Sequence, residues 1–187
     1  MGYFVALYSL ASYATDGVGL SQTKGAALQS ILAAGQMIGR PLCGLALDKG
    51  GRLNMAIVTN LVAGLSCLAI WLQARSFGVL VVFSIIQGAV GGTVWSAAAP
   101  VAARTVGVTH VGSALAMFWL SIVFPVTVAQ PIAVALIDYS RAGLGRKGPD
   151  AYMISIGLCG GLFCLSSVVL FGGKIALQRS FKLLQKI

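Results

Sequence analysis

The sequence predicts an all-α bundle of transmembrane helices with six segments, and three observations carry that expectation. Hydrophobic residues make up 58% of the 187-residue chain and charged residues 9%, with a mean hydropathy of +0.92. A water-soluble domain carries about 25% charged residues, so the polar surface here is too small to cover a soluble core. The charges are also bunched. No Asp, Glu, Lys or Arg lies between Arg52 and Arg75, Arg75 and Arg104, Arg104 and Asp138, or Asp150 and Lys174. Each gap is long enough for a helix to cross the hydrocarbon, which takes about 20 apolar residues.

The elements follow from these gaps. Residues 2–15 are apolar and aromatic but too short to cross alone, and they read as a helix whose beginning is missing. They lack the basic n-region and small-residue cleavage site of a signal peptide. The second span, 25–47, is interrupted only by Arg40 and has Ser21 as its N-cap. Spans at 53–73, 77–103, 109–138 and 151–173 complete one bundle over 1–173. The remainder, 174–187, is a basic tail. Arg179, Lys182 and Lys186 share one helical face there, opposite Leu177, Phe181 and Leu184. Two readings stand: an amphipathic helix along the inner leaflet, or a solvated tail whose charges set topology.

A net charge of +9 raises nucleic acid as a partner. Its cations sit at span ends and in the tail, which fits membrane orientation and anionic lipid instead, so no nucleic-acid partner is expected. With the first segment ending outside, Lys49, Arg52, Arg104, Lys174, Arg179, Lys182 and Lys186 face the cytosol, a modest positive-inside excess. Cys43, Cys67, Cys159 and Cys164 fall inside spans and read as small packing residues, with no CxxC or Cys/His cluster to hold a metal. No cofactor is implied. Nor is an enzyme: the chain has no Ser-centred elbow, no H-E-x-x-H and no nucleotide loop, and its four carboxylates are scattered.

The densest charged motif joins the second and third spans: Gly44, Asp48, Lys49, Gly50, Gly51 and Arg52. Its glycines suit a tight turn between closely approaching helix ends, and its charges sit at the cytosolic interface. Gly44, Asp48, Lys49, Gly51 and Arg52 are expected to act as a cytosolic latch.

Arg40 is the foremost candidate for ligand chemistry. An arginine deep in a span costs several kcal/mol unless it meets a water-filled cavity or a partner, and its planar fork suits a carboxylate. It either meets a solute, snorkels to headgroups from the cytosolic end, or braces the loop at Asp48. Gln36, Gln87, Trp119 and Gln130 are assigned with it to solute binding or gating, and Asn60 and Trp95 are further polar groups that face the cavity in this reading. Pro41, Pro100, Pro125 and Pro131 each remove a backbone donor within a span. They act as hinges and cavity-lining breaks, or only bend packed helices. Small-residue pairs at Gly35/Gly39, Gly88/Gly92 and Gly157/Gly161 signal close helix contact.

Ser9 to Ala14, Gly19 to Ala27, Gly35 to Gly44 and Asp48 to Asn54 run in an order that resembles the C-terminal six-helix half of a monocarboxylate-transporter-like protein of the major facilitator superfamily, most like its fungal members. The likeness is sharpest over residues 8–60. It implies two six-helix bundles with solute between them in alternating access, and it matches Arg40 to the family's eighth-helix arginine, proposed to meet the substrate carboxylate. Several members carry an aspartate four residues earlier that takes part in proton coupling; this chain has Gln36. The resemblance thus implies transport of a small organic solute, a monocarboxylate or another organic anion. The expected partners are the bilayer, the solute, and a missing N-terminal half or a second copy of the chain. The plasma membrane is expected ahead of an organelle membrane. The competing reading is a truncated, non-transporting scaffold or relic.

Overall fold

A chain surrounded by lipid must satisfy its backbone hydrogen bonds internally, and every regular element among the described residues is helical. The computed structural model describes residues 2–184, and side chains for all of these except 47–50, 52, 94, 97, 101, 104, 105 and 176–184. Helix α1 (Gly2–Ser12) widens into a π-turn at Tyr13–Gly17. Helix α2 (Gln22–Gly50) is followed by α3 (Arg52–Leu65), which continues through a π-turn at Ser66–Ile70 and a 3-10 turn at Trp71–Gln73. Then come α4 (Phe77–Gly91), α5 (Thr93–Val106), α6 (Val111–Ala142) and α7 (Met153–Leu184). Leu53–Gln73, Val108–Ala142 and Gly148–Ile175 are long and apolar enough to cross a membrane, while Phe77–Gly91 is apolar but shorter.

Several details depart from the sequence-based expectations. The fourth segment is two helices broken at Gly92, not one that ends near Pro100, which lies within α5. Glycine has low helix propensity, and the adjacent Gly91 and Gly92 break the helix where a proline does not. Pro41, Pro125 and Pro131 likewise sit inside continuous helices. An interior proline deletes the donor to the carbonyl four residues earlier and bends the helix without having to end it. Helix α7 runs unbroken to Leu184, so no break marks residue 174. Ser21 occupies the N-cap position of α2 in extended conformation, yet its side chain makes no capping bond; its carbonyl accepts from the Lys24 amide at 2.9 Å. Gly51 alone joins α2 to α3, with φ +84°, a conformation that favours glycine. A Cβ on Gly44, by contrast, would meet nothing within 4 Å.

Helix α2 lies along α4, α3 lies along α7, and α1 runs among α2, α6 and α7. Lipid tails are as apolar as leucine, so association depends on close van der Waals packing. Small residues provide it. A Cβ on Gly35 would stand 3.1 Å from the Ile85 carbonyl oxygen, and one on Gly39 or Gly88 would collide with the backbone of Ala89 or Leu32. Gly64 and Gly160 make the corresponding approach between α3 and α7, each Cβ position lying within 3.2 Å of the other's carbonyl oxygen. The Gly157/Gly161 pair takes no part, since a Cβ at either faces open space. The contact falls on the face of α7 that carries Gly160. Cys67 and Cys159, both free thiols, bury their sulfurs 3.7 Å apart across the α3–α7 seam.

At the Tyr13 end the bundle is tied by polar and aromatic contacts. The Tyr13 hydroxyl donates to the Ala74 carbonyl at 2.7 Å, and its ring meets Trp71 and Tyr152 edge-on at 6.0 and 5.4 Å. The Tyr152 hydroxyl donates to the Ser12 carbonyl at 3.3 Å, under the Arg141 guanidinium. An exposed Arg75–Asp150 pair at 2.9 Å joins the loop after α3 to the turn before α7. Of the three long apolar spans, Val108–Ala142 is the least buried within the bundle.

Gly88→Ala is expected to lower stability by about 1–3 kcal/mol, because its methyl meets backbone that cannot move aside. Gly157→Ala, placed in open space, should leave stability unchanged or slightly higher through helix propensity. Thermal unfolding in detergent, followed by circular dichroism, checks the contrast.

Candidate functional site

The α2–α4 contact aims one face of α2 at the α4–α5 break. Gln36 and Arg40 are one helical turn apart on that face, and Arg40 Nη2 donates to Gln36 Oε1 at 2.8 Å. The guanidinium lies over Gly92: a Cβ there would stand 3.3 Å from Arg40 Nε and 3.6 Å from Nη2. The same point is 3.6 Å from Trp95 Cδ1, so cation and indole flank a residue that has no side chain. Arg40 is exposed, and among the described residues it forms no ion pair with a carboxylate.

Trp95 organises an aromatic group drawn from α1, α5 and α6. Its ring is nearly parallel to that of Trp119, at 16° and 5.3 Å between centroids. Tyr3, Phe4 and Phe118 meet Trp95 at steep angles from 6.0 to 6.3 Å, an arrangement that suits the edge-to-face preference of aromatic rings. Trp119 is 56% exposed. Trp95 lines a cleft of about 290 Å³ together with Tyr3, Phe4, Phe118, Pro125 and Phe163, and Asn60 and Ser166 also reach it. Asn60 Nδ2 is spent on the Ala56 carbonyl at 3.0 Å.

Arg40, Gln36, Trp95 and Trp119 therefore come together, whereas two of the residues grouped with them lie elsewhere. Gln87 is 1% exposed inside the bundle, where its Oε1 accepts from the Ser66 hydroxyl at 3.1 Å and its Nε2 has no partner. It is an internal brace between α4 and the π-turn of α3. Gln130 lies eleven residues beyond Trp119 on α6, about 16 Å along the axis, with its Oε1 buried and unpartnered. Of the residues expected to form a latch, Gly51 is the joint between α2 and α3 and Gly44 faces open space. The side chains of Asp48, Lys49 and Arg52 lie outside the described residues.

Sequence reasoning passed over Tyr3, Phe4 and Phe118, and took Gly92 only as half of the Gly88/Gly92 packing pair. The Gly91–Gly92 doublet inside an apolar run was a usable signal for a break. Nothing in the spacing of Tyr3 and Phe4 tells that they converge on Trp95, because that depends on how α1 packs.

Residues 1–173 match the Major Facilitator Superfamily. The chain is 28% identical over 156 residues to "Probable transporter MCH2" of Saccharomyces cerevisiae, covering 83% of this chain and 32% of that protein. It is 35% identical over 146 residues to "Monocarboxylate transporter 3" of Rattus norvegicus, covering 74% and 29%. It is 30% identical over 145 residues to "Agnestins efflux protein AgnL12" of Paecilomyces divaricatus, covering 77% and 33%. The chain thus spans about a third of the length of the curated relatives it matches.

Proposed function

Because the chain belongs to the Major Facilitator Superfamily, we propose that it forms the C-terminal bundle of a membrane carrier for a small organic anion, with Arg40 as the carboxylate-binding group. The observation that carries this reading is the guanidinium held over Gly92 by a neutral amide. A carboxylate at position 36 would cancel the charge; Gln36 orients the fork and leaves it positive. The remaining donors suit a bidentate carboxylate.

A neutral residue at position 36 also separates anion binding from protonation of this pair, so the carrier binds its solute without taking a proton here. Transport needs a second bundle to close the site. Helices α2 and α6 carry exposed apolar side chains, among them Met37 and Met117, which offer surface to lipid or to a first half or a second copy. Asp48, Lys49 and Arg52 would latch the cytosolic side, with Pro41, Pro100, Pro125 and Pro131 as bending points and the plasma membrane as the site of action. The relatives' names, a monocarboxylate transporter and efflux proteins among them, support an organic solute.

The test is uptake of labelled carboxylates into proteoliposomes carrying the longest transcript that encodes this chain. Arg40→Lys should reduce uptake by about tenfold or more, because a point charge replaces the fork and a charge-assisted hydrogen bond is lost. Unaltered uptake would remove Arg40 from the site.

A second variant addresses the pH dependence. In Gln36→Asp, a new carboxylate neutralises Arg40 whenever it is ionised. Uptake of a strong-acid solute such as an α-keto acid should therefore fall at neutral pH and recover on acidification, while the parent protein shows no such recovery. A parent profile with the same acid activation would contradict the separation from protonation.

A further inference from the structure

We infer that the solute is a planar aromatic carboxylate, an inference that rests on Arg40 being the carboxylate-binding group proposed above. The second half of the recognition is the Trp95–Trp119 stack. Trp119 is stacked nearly parallel to Trp95, at 16°, so the outer face of the stack is flat, and Tyr3, Phe4 and Phe118 pack edge-on against Trp95, which fixes the plane of the pair. Trp119 leaves 56% of its surface uncovered. Arg40 and Trp95 both reach the empty side-chain position of Gly92, and Trp119 stacks on Trp95 at 5.3 Å between centroids. A ring one or two bonds from a carboxylate therefore lies against indole while its anion meets the fork.

The alternative use of tryptophan in membranes is as an anchor at the headgroup level, where rings face lipid near span ends. An anchor has no need of a guanidinium beside it or of three further rings to hold its plane. An aliphatic wall would suit a flexible alkyl acid equally well. Stacked indoles favour a flat π-system over a puckered ring of the same size, since offset stacking adds to area burial. Trp119 is the specificity-determining residue in this scheme and Trp95 its support.

The experiment uses the 187-residue chain in lipid nanodiscs, with its helicity checked by circular dichroism. Labelled 1-naphthoate is displaced by benzoate, cyclohexanecarboxylate, acetate or neutral benzyl alcohol. Benzoate is expected to compete about threefold to tenfold more tightly than cyclohexanecarboxylate. Trp119→Leu should bring that ratio close to one while leaving acetate unchanged, and Trp119→Phe should keep most of it. Arg40→Gln should weaken every carboxylate alike.

If benzoate and cyclohexanecarboxylate compete equally while Arg40→Gln still weakens both, the aromatic preference is overturned and the carboxylate reading stands. If benzyl alcohol competes as well as benzoate and Arg40→Gln changes nothing, both fall. If naphthoate shows no saturable binding above empty nanodiscs, the inference is overturned, and direct binding of labelled acetate then decides the carboxylate reading separately.

Discussion

The close approach of α2 and α4 is the contact on which the rest of this bundle depends. With lipid on the outside there is no hydrophobic drive to bring helices together, so the energy comes from backbone-to-backbone van der Waals contact where side chains are missing. Gly35 and Gly39 lie against Gly88 and Ala89 so closely that a methyl group on Gly39 or Gly88 would collide with main chain. The contact does more than hold two helices. It sets the rotation of α2 about its axis, which carries Gln36 and Arg40 to the α4–α5 break, and at the break Gly92 leaves room for a guanidinium.

Polar side chains in this bundle divide into two kinds by what surrounds them. Gln36 spends its carbonyl on a neighbour in the same helix and so orients a charge at the surface. Gln87 spends its carbonyl across helices on Ser66, at the π-turn where α3 is locally widened. Its unpartnered Nε2 is costly in a region without water. That cost is tolerated where the brace holds α4 to α3 beside Trp71, Phe83 and the buried Cys67–Cys159 contact. The residue type is the same at both positions, and helix rotation alone separates an amide that holds a surface charge from one that braces the interior.

The helical class and the rough course of the segments were legible in the sequence because charge gaps and hydropathy are one-dimensional quantities. The pairing of Gln36 with Arg40 was legible through helical spacing alone. What could not be read depends on helix rotation and on chain breaks. The α7 contact falls on Gly160, although Gly157 and Gly161 carry the small-residue spacing, and no single-helix pattern distinguishes the two faces. Proline was overvalued as a breaker because its cost is one hydrogen bond, which a helix of thirty residues absorbs. The Gly91–Gly92 doublet was undervalued because glycine acts through backbone entropy, which leaves no mark on hydropathy.

The single-residue connection at Gly51 has a mechanical corollary. A long loop between two helices works as a slack tether, and either helix can tilt while the other stays put. With only one residue between the last turn of α2 and the first of α3, and with that residue held at φ +84°, there is no slack to take up. Tilting α2 must swing α3 with it, and the Gly64–Gly160 seam passes the swing on to α7. This end of the bundle therefore behaves as a crank of three coupled rods rather than as independent pistons.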